Sequence, residues 1–362
     1  MMNIYFFGIY NSQGGMENYA LNLIRGMTQR YNDTHFTLLV FSDDFSNKDK
    51  LLNECGCNYR VLPNFRKHPS LFKREFQKLG KEVKPNDVLQ LNICSFRNYF
   101  LFDAASKLPC KKCVVSHYST IRGPSAIIHH INKLIFRHKF LNIAVSKEAG
   151  IFMFGKDFIV IPNGVDSKNF AFDPEGRNAV RKKYGIDSNV FLIGQVGRIS
   201  EDKNQIFTID LLSKLTKKSP NIKLMLVGKN CDEKILPYIR ARNLTDNVVL
   251  TGPINKGLAD YYSAFDCCVL PSKNEALSLA LLESLSNGLP ILYSDGSPEF
   301  ALKGKVANIQ NLRRLKLDLD LWAKNVEGLI ETGKTARRNN IATTEYDLRA
   351  FIQSYYAVYQ GN

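Results

Sequence analysis

Nowhere does the 362-residue chain hold an uncharged apolar run of the ~18 residues that a membrane-spanning helix needs. The opening stretch Met1–Tyr10 is apolar but lacks a positive leader and a small-residue cleavage site, so it is expected to be a first buried strand and not a signal peptide. Internal repeats and low-complexity segments are absent. With 44% hydrophobic and 23% charged residues, the composition excludes a disordered or fibrous chain. Cysteine is modest at eight. Cys55-x-Cys57 and Cys110-Lys-Lys-Cys113 have metal-ligand spacing but no Gly-rich knuckle, and both sit beside expected strands, so thiols of a reducing compartment are the expected reading.

Acidic residues are the conspicuous shortage. Lys and Arg number 49 against 34 Asp and Glu, a net charge of +15. The excess is uneven: residues 1–165 hold 22 basic and 12 acidic residues, and residues 60–139 alone hold 16 against 4. Such a patch suits nucleic acid, an anionic membrane surface or an acidic substrate. No nucleic-acid module accompanies it, nor any basic stretch interleaved with stacking aromatics, which argues against nucleic acid.

What is present is an alternation of short apolar runs with amphipathic stretches. Ile4–Ile9, His35–Phe41, Val88–Leu91, Cys113–Ser116, Leu141–Ala144 and Phe158–Ile161 read as strands, and so do Phe191–Val196, Ile222–Val227, Val248–Thr251, Cys267–Leu270 and Pro290–Tyr293. Helical patterns such as Asn204–Lys218 and Leu279–Asn287 lie between them. Buried strands alternating with helices imply α/β domains with parallel sheets covered on both faces. The polar stretch around Gly164–Asn178 marks the break. The expected organisation is therefore two facing doubly wound, Rossmann-like domains, 1–165 and 166–345, with a ligand cleft between them. Residues 346–362 form a further helix, whose Phe351, Tyr355, Tyr356 and Tyr359 need a surface to cover; the N-terminal domain is the candidate.

Four places carry potential chemistry. Gly14-Gly15 follows the first strand and opens a helix with Ala20, Leu23, Ile24 and Met27 on one side. Glycines there admit a ligand close to backbone and to free helix N–H groups, although the pattern is no GxGxxG fingerprint and such turns are common. Gly197-Arg198-Ile199-Ser200-Glu201-Asp202-Lys203-Asn204 places two cations in a strand-to-helix loop, as a diphosphate receptor requires; a solvated loop with ordinary caps is the plainer reading. In Pro271–Glu283, Glu275 lies in a loop and Glu283 follows eight residues later among Leu281, Leu282 and Leu285. A carboxylate in apolar company needs a partner, such as a sugar hydroxyl, unless it simply faces solvent. His117 ends the strand Cys113–Ser116, at the carboxyl edge where open α/β sheets bind ligands, although a lone histidine is more often structural.

Taken together, the segments GGMENYALNLIRGM, IPNGVD, GQVGRISEDKN and PSKNEALSLALLESLSNGLPIL make the chain resemble the retaining nucleotide-sugar glycosyltransferases of the GT-B fold, in order and spacing, over about residues 1–300. The resemblance implies that Gly14 and Gly15 approach the donor, and that Arg198 and Lys203, beside Gly197, bind its diphosphate. Glu275 would contact the transferred sugar, Glu283 the ribose hydroxyls, and the backbone N–H groups of Leu277, Ser278 and Leu279 the phosphates. His117 would lie near the reacting sugar. It further implies a hexosyl- or N-acetylhexosaminyl-type transfer from a UDP-sugar to a glycan or lipid-linked acceptor, in surface polysaccharide biosynthesis, with retention and without a metal cofactor. Asp318-Leu319-Asp320 is read as surface and not as a metal motif. Where the family usually has Glu-Gly-Phe-Gly, this chain has Glu275-Ala276-Leu277-Ser278, which narrows the space for a sugar against backbone.

A sugar-nucleotide epimerase on the same fold, or a glycosyltransferase-like subunit without turnover, are the alternatives. The basic excess in the first domain, with Phe72, Phe76, Leu79 and Val83 at helical spacing and Ile127, Ile128, Ile131, Leu134 and Ile135 likewise, adds an expected partner: an anionic membrane surface, for a cytoplasmic protein peripheral to the inner membrane face. Each helix by itself is expected to pack its apolar face on the sheet. Basic residues near anionic lipid each contribute about 1 kcal/mol.

Overall fold

The computed structural model describes residues 2–10, 15–45, 47–117, 125–229, 233–333 and 337–361. They form two compact units: residues 2–164 with 348–361, and residues 165–347.

The first unit runs β1 (Met2–Phe7), α1 (Gly15–Arg30), β2 (Thr34–Val40), β3 (Asn58–Val61), α2 (Pro69–Glu82), β4 (Val88–Ile93), α3 (Tyr99–Ser106), β5 (Lys111–Ser116), α4 (Ser125–Phe136), β6 (Leu141–Ala144), α5 (Lys147–Met153) and β7 (Ile159–Val160). Its seven strands pair in parallel in the order β3-β2-β1-β4-β5-β6-β7. The order reverses between β1 and β4, so the loops after these two strands flank the switch point where such sheets take ligands. Every residue of β4 is buried, as expected of a central strand covered on both faces. The amphipathic α1 buries Ala20, Leu23, Ile24 and Met27, and α2 buries Phe72, Phe76 and Leu79.

The second unit runs α6 (Pro174–Lys183), β8 (Phe191–Val196), α7 (Gln205–Leu215), β9 (Ile222–Val227), α8 (Ile235–Ala241), β10 (Val248–Gly252), α9 (Leu258–Ala264), β11 (Cys267–Leu270), α10 (Leu279–Asn287), β12 (Ile291–Ser294), the short hairpin β13 (Ala301–Leu302) and β14 (Lys305–Val306), β15 (Leu312–Leu315) and α11 (Leu319–Thr332). Six strands form a parallel sheet in the order β10-β9-β8-β11-β12-β15, reversing between β8 and β11. One apolar cluster, around Tyr262, Phe265 and Leu282, covers one side; another, around Ile209, Leu212 and Trp322, covers the other. Asp173 caps α6 by accepting from the N–H groups of Glu175 and Gly176, and Asp318 caps α11 through the N–H of Leu321 at 2.8 Å. Asp320 is paired on the surface with Lys214. The last helix, α12 (Leu348–Gln360), belongs to the first unit and lies on α1, with Tyr356 stacked on Tyr31 at 3.6 Å.

The four paired cysteines of the first unit are buried thiols. Burial pushes Cys57 up to about 12 and Cys110 up to about 11, so the protonated form prevails at neutral pH.

One helix departs from expectation. The apolar side of α4 does not pack on the sheet: Ile127, Ile128, Ile131, Leu134 and Ile135 are exposed, and the residues turned inward are His129, Asn132 and Phe136. The cause is polar. The loop after β4 needs partners for its buried backbone, and α4 supplies them: the Phe96 N–H donates to His129 Nδ1 at 3.0 Å, and Asn132 Nδ2 donates to the Phe96 carbonyl at 2.7 Å. Orphaning either of these buried backbone groups would cost about 1–3 kcal/mol.

Burial, with Lys133 and His130 adding, lowers the His129 pKa to about 4, and burial alone lowers His117 to about 3. Both are neutral in the native state at neutral pH, whereas the unfolded chain takes up its protons near 6.5. Their contribution to stability is therefore full above about pH 6.5 and is lost as the pH falls through the depressed native values. Thermal melts should show Tm falling between pH 6.5 and 4.5, with a shallower fall in His129→Gln. An identical slope in that variant would mean that His129 is not held neutral.

Candidate active site

The chemistry-bearing residues of the second unit converge where its strand order reverses. Gly197 leaves β8 at φ +146° and donates its N–H to the Val227 carbonyl at 2.9 Å. Gly228, after β9, lies so close that a Cβ there would stand 2.2 Å from the Gly197 carbonyl oxygen. Glycine at 228 is thus a packing requirement. Buried Gln195 and Gln205 brace the loop from inside: Gln195 Nε2 donates to the Lys203 carbonyl at 2.8 Å, and Gln205 accepts from the Ser200 N–H at 3.1 Å while donating to the Arg198 carbonyl at 3.2 Å. Asn204 adopts φ +58° and donates from Nδ2 to the Pro271 carbonyl at 3.1 Å.

This clips the loop after β8 to the loop after β11, and the Lys273 N–H adds a second clip, to the Asp202 carbonyl at 2.8 Å. The loop after β12 closes the group. Glu275 donates its N–H to the Gly296 carbonyl at 3.0 Å, and a Cβ on Gly296 would stand 2.4 Å from the carbonyl oxygens of Ser272 and Lys273. Three adjacent strands therefore fix one constellation without relying on long side chains.

Within it, Lys203 Nζ pairs with Glu275 Oε1, which also accepts from Ser272 Oγ at 3.0 Å. The pair is mostly shielded, with side chains 30% and 13% exposed. Arg198 is exposed and makes no ion pair among the described residues. Ser278 is the N-cap of α10, and the N–H groups of Leu277, Ser278 and Leu279 take no hydrogen bond among the described residues, so three donors stand at a helix N-terminus. Arg198, Lys203 and these donors give the site its positive character.

Glu283, on α10, does not face solvent: it is 8% exposed. The partner of one oxygen is the hydroxyl of Tyr262 on α9, a fully buried residue that the sequence reading did not single out. Burial raises the Glu283 pKa to about 7, against the pull of the Tyr262 hydrogen bond and the Lys203 charge. At neutral pH the group is poised between acid and carboxylate, and a hydroxyl donor would favour the carboxylate.

The first unit presents its own candidates. Gly15 opens α1 exposed, and a Cβ there would meet nothing within 4 Å. Gly14 lies outside the described residues. His117 follows β5, its ring 4.3 Å from that of Tyr19 and edge-on to it, and its buried Nε2 has no partner among the described residues.

Two α/β units of this topology are the architecture of the GT-B fold, and the relatives of the chain are glycosyltransferases. Residues 176–302 match the family model described as Glycosyl transferases group 1. The putative glycosyltransferase EpsF of Bacillus subtilis is 26% identical over 96% of this chain and 94% of its own length. A shorter match, 31% identical over 38% of this chain and 36% of the relative, is to the Escherichia coli UDP-Gal:alpha-D-GlcNAc-diphosphoundecaprenol alpha-1,3-galactosyltransferase. Among solved structures, HepE of Anabaena in complex with UDP superposes with a TM-score of 0.79 at 18% identity, covering all of both chains.

Proposed function

We propose that the chain transfers a hexosyl or N-acetylhexosaminyl group from a UDP-sugar to a glycan or lipid-linked acceptor in surface polysaccharide biosynthesis. The observation that carries this reading is the clustering of Lys203, Glu275 and the unsatisfied N–H groups of 277–279 at one switch point, with buried Glu283 on the same helix. In the proposed mechanism Arg198 and Lys203 bind the diphosphate. With the α10 N-terminus, they stabilise the charge that builds on it as the glycosidic bond breaks. These groups would fill the role a metal ion plays elsewhere. Glu275, held by Lys203 and Ser272, would accept from hydroxyls of the transferred sugar, and Glu283 from the ribose. Ala276, buried where the family has glycine, would reshape the sugar pocket and so bear on which sugar is accepted. Gly14, Gly15 and His117 are assigned to the donor side of the first unit, with His117 as a neutral hydrogen-bonding group. Retention of configuration is carried by the family resemblance alone.

The acceptor proposal draws support from the relative that acts on a diphosphoundecaprenol-linked sugar and from the basic first unit, which suits an anionic membrane surface.

A thermal-shift screen of nucleoside diphosphates and their sugars tests the donor site, because a ligand that binds only the native state stabilises it by mass action. UDP and a UDP-sugar should raise Tm, in EDTA as well, and Glu283→Ala or Arg198→Ala should abolish the rise. An undiminished shift in both variants would place the diphosphate elsewhere. Turnover of donor without any acceptor would indicate an epimerase instead.

A further inference from the structure

We propose that α4 is an interfacial membrane helix: it lies flat in the headgroup region of an anionic bilayer and inserts the face formed by Ile127, Ile128, Ile131, Leu134 and Ile135. The proposal rests on the reading that the first unit meets a lipid surface, and it assigns the element that enters the lipid.

The observation is an inverted amphipathic helix. Ile127, Ile131 and Leu134 are 65%, 55% and 70% exposed, at i, i+4 and i+7, and Ile128 and Ile135 flank them on the same side. The opposite side is anchored by polar contacts, so this exposure is built in. His129 and Asn132 hold the backbone of Phe96, the His129 ring stacks on Phe152 at 5.0 Å, and Lys133 Nζ donates to the Phe152 carbonyl at 2.9 Å. No rotation of α4 could hide the isoleucines without orphaning those groups. Other apolar residues near its C-terminal part are exposed too: Ile151 on α5, whose carbonyl accepts from Lys133 Nζ, and Tyr99 and Phe100 of α3, with the Tyr99 ring 5.3 Å from Phe136. An exposed apolar helix face of this kind marks a docking site.

Charge decides the occupant. Between Asp103 and Glu148 the sequence has eight Lys and Arg and no acidic residue. Lys139 lies beside the Phe136 ring, and Arg137 reaches the Phe154 carbonyl, so cations border the C-terminal end of the face. Anionic headgroups complement those cations. Twelve residues span about 18 Å, too short to cross a bilayer and suited to lying in its interface. Tyr99, with an apolar ring and a polar tip, fits the same depth.

The test uses the full chain and large unilamellar vesicles of phosphatidylcholine alone or with one third phosphatidylglycerol. Wild type should co-sediment with the anionic vesicles. The triple variant Ile127→Ser, Ile131→Ser, Leu134→Ser, altered only at exposed positions, should keep Tm and the UDP shift yet bind them at least tenfold more weakly. Ile131→Trp should show blue-shifted emission with anionic vesicles; the single native tryptophan, Trp322, is fully buried and gives a constant background. Equal binding by wild type and the triple variant, or no blue shift, overturns insertion by α4. Failure of wild type to bind any vesicle, with the UDP shift intact, overturns the lipid-surface reading too while leaving the donor site standing. A wild-type dimer that the triple variant converts to monomer would assign the face to a second copy and overturn the proposal.

Discussion

Lys203→Ala should lower kcat with a UDP-sugar donor by about a hundred- to a thousandfold, the usual cost of removing one preorganised group from developing transition-state charge. The ammonium is placed by backbone: Gln195 holds its carbonyl and the adjoining Asn204 clips to the loop after β11, so its position does not depend on the ligand. It serves two carboxylates at once, pairing with Glu275 and lowering the pKa of Glu283. Its loss removes charge from the diphosphate, frees Glu275 to move, and lets the Glu283 pKa rise above its present value near 7. Residual activity should therefore have its pH profile displaced to higher pH. Because the interaction is proposed to strengthen as the bond breaks, kcat and kcat/KM should fall together, more than donor affinity. Lys203→Arg restores charge but puts a larger planar guanidinium where a compact ammonium sat, so rescue should be partial. Steady-state kinetics with the donor identified by thermal shift measure this. Activity within threefold of wild type in Lys203→Ala would remove Lys203 from the reacting centre.

Much of this architecture is legible in the sequence, for a physical reason: central parallel strands are buried on both faces and so read as unbroken apolar runs. Leu141–Ala144, Phe191–Val196, Ile222–Val227 and Cys267–Leu270 are found at their observed bounds, as is the helix Leu279–Asn287. Two of the four edge strands carry no such signal. Asn58–Val61 and Leu312–Leu315, interrupted by Arg60 and by Arg313 and Arg314, look like loops until a neighbour pairs with them. The helix α4 is misread for a different reason. Its five aliphatic residues argue for burial, but the groups that set its rotation belong to Phe96, more than thirty positions away, and no periodicity reveals them. The site divides in the same way. Arg198, Lys203, Glu275 and Glu283 stand out because charged residues follow strand ends or interrupt apolar helices. Tyr262, Gly228, Gln195 and Gln205 do not, since each looks like ordinary core or turn until its partner is in place.

Ending the chain after Asp347 should leave the first unit unable to fold while the second keeps its own transition. The fifteen residues removed are part of the first unit's core: Phe351, Ile352, Tyr355 and Tyr359 are all buried, against Tyr19, Leu23 and the central sheet. Phe351 and Tyr355 meet the Tyr19 ring edge-on at 5.5 and 5.9 Å, and Ile352 fills the space above Gly26, where a Cβ would collide with its side chain. Tyr359 donates its hydroxyl to Gln90 in a buried network that includes Tyr19 and Asn92, and Lys111 clamps the helix end through the Tyr359 and Gln360 carbonyls at 3.0 and 2.9 Å. Truncating one large buried side chain costs about 3–5 kcal/mol. Four such losses, even if half additive, approach or exceed the about 5–15 kcal/mol that holds a domain together. The graded version is Tyr355→Ala, expected to cost about 3–5 kcal/mol, against about 1–3 kcal/mol for Tyr359→Phe, which removes only the partner of a buried amide oxygen. Urea denaturation followed by circular dichroism should show two transitions in the full chain. In the truncated chain only the second unit's transition should remain, together with its response to UDP, because its two apolar clusters contain none of the deleted residues. A truncated chain that retained the first unit's midpoint would mean that α12 decorates this core and does not complete it.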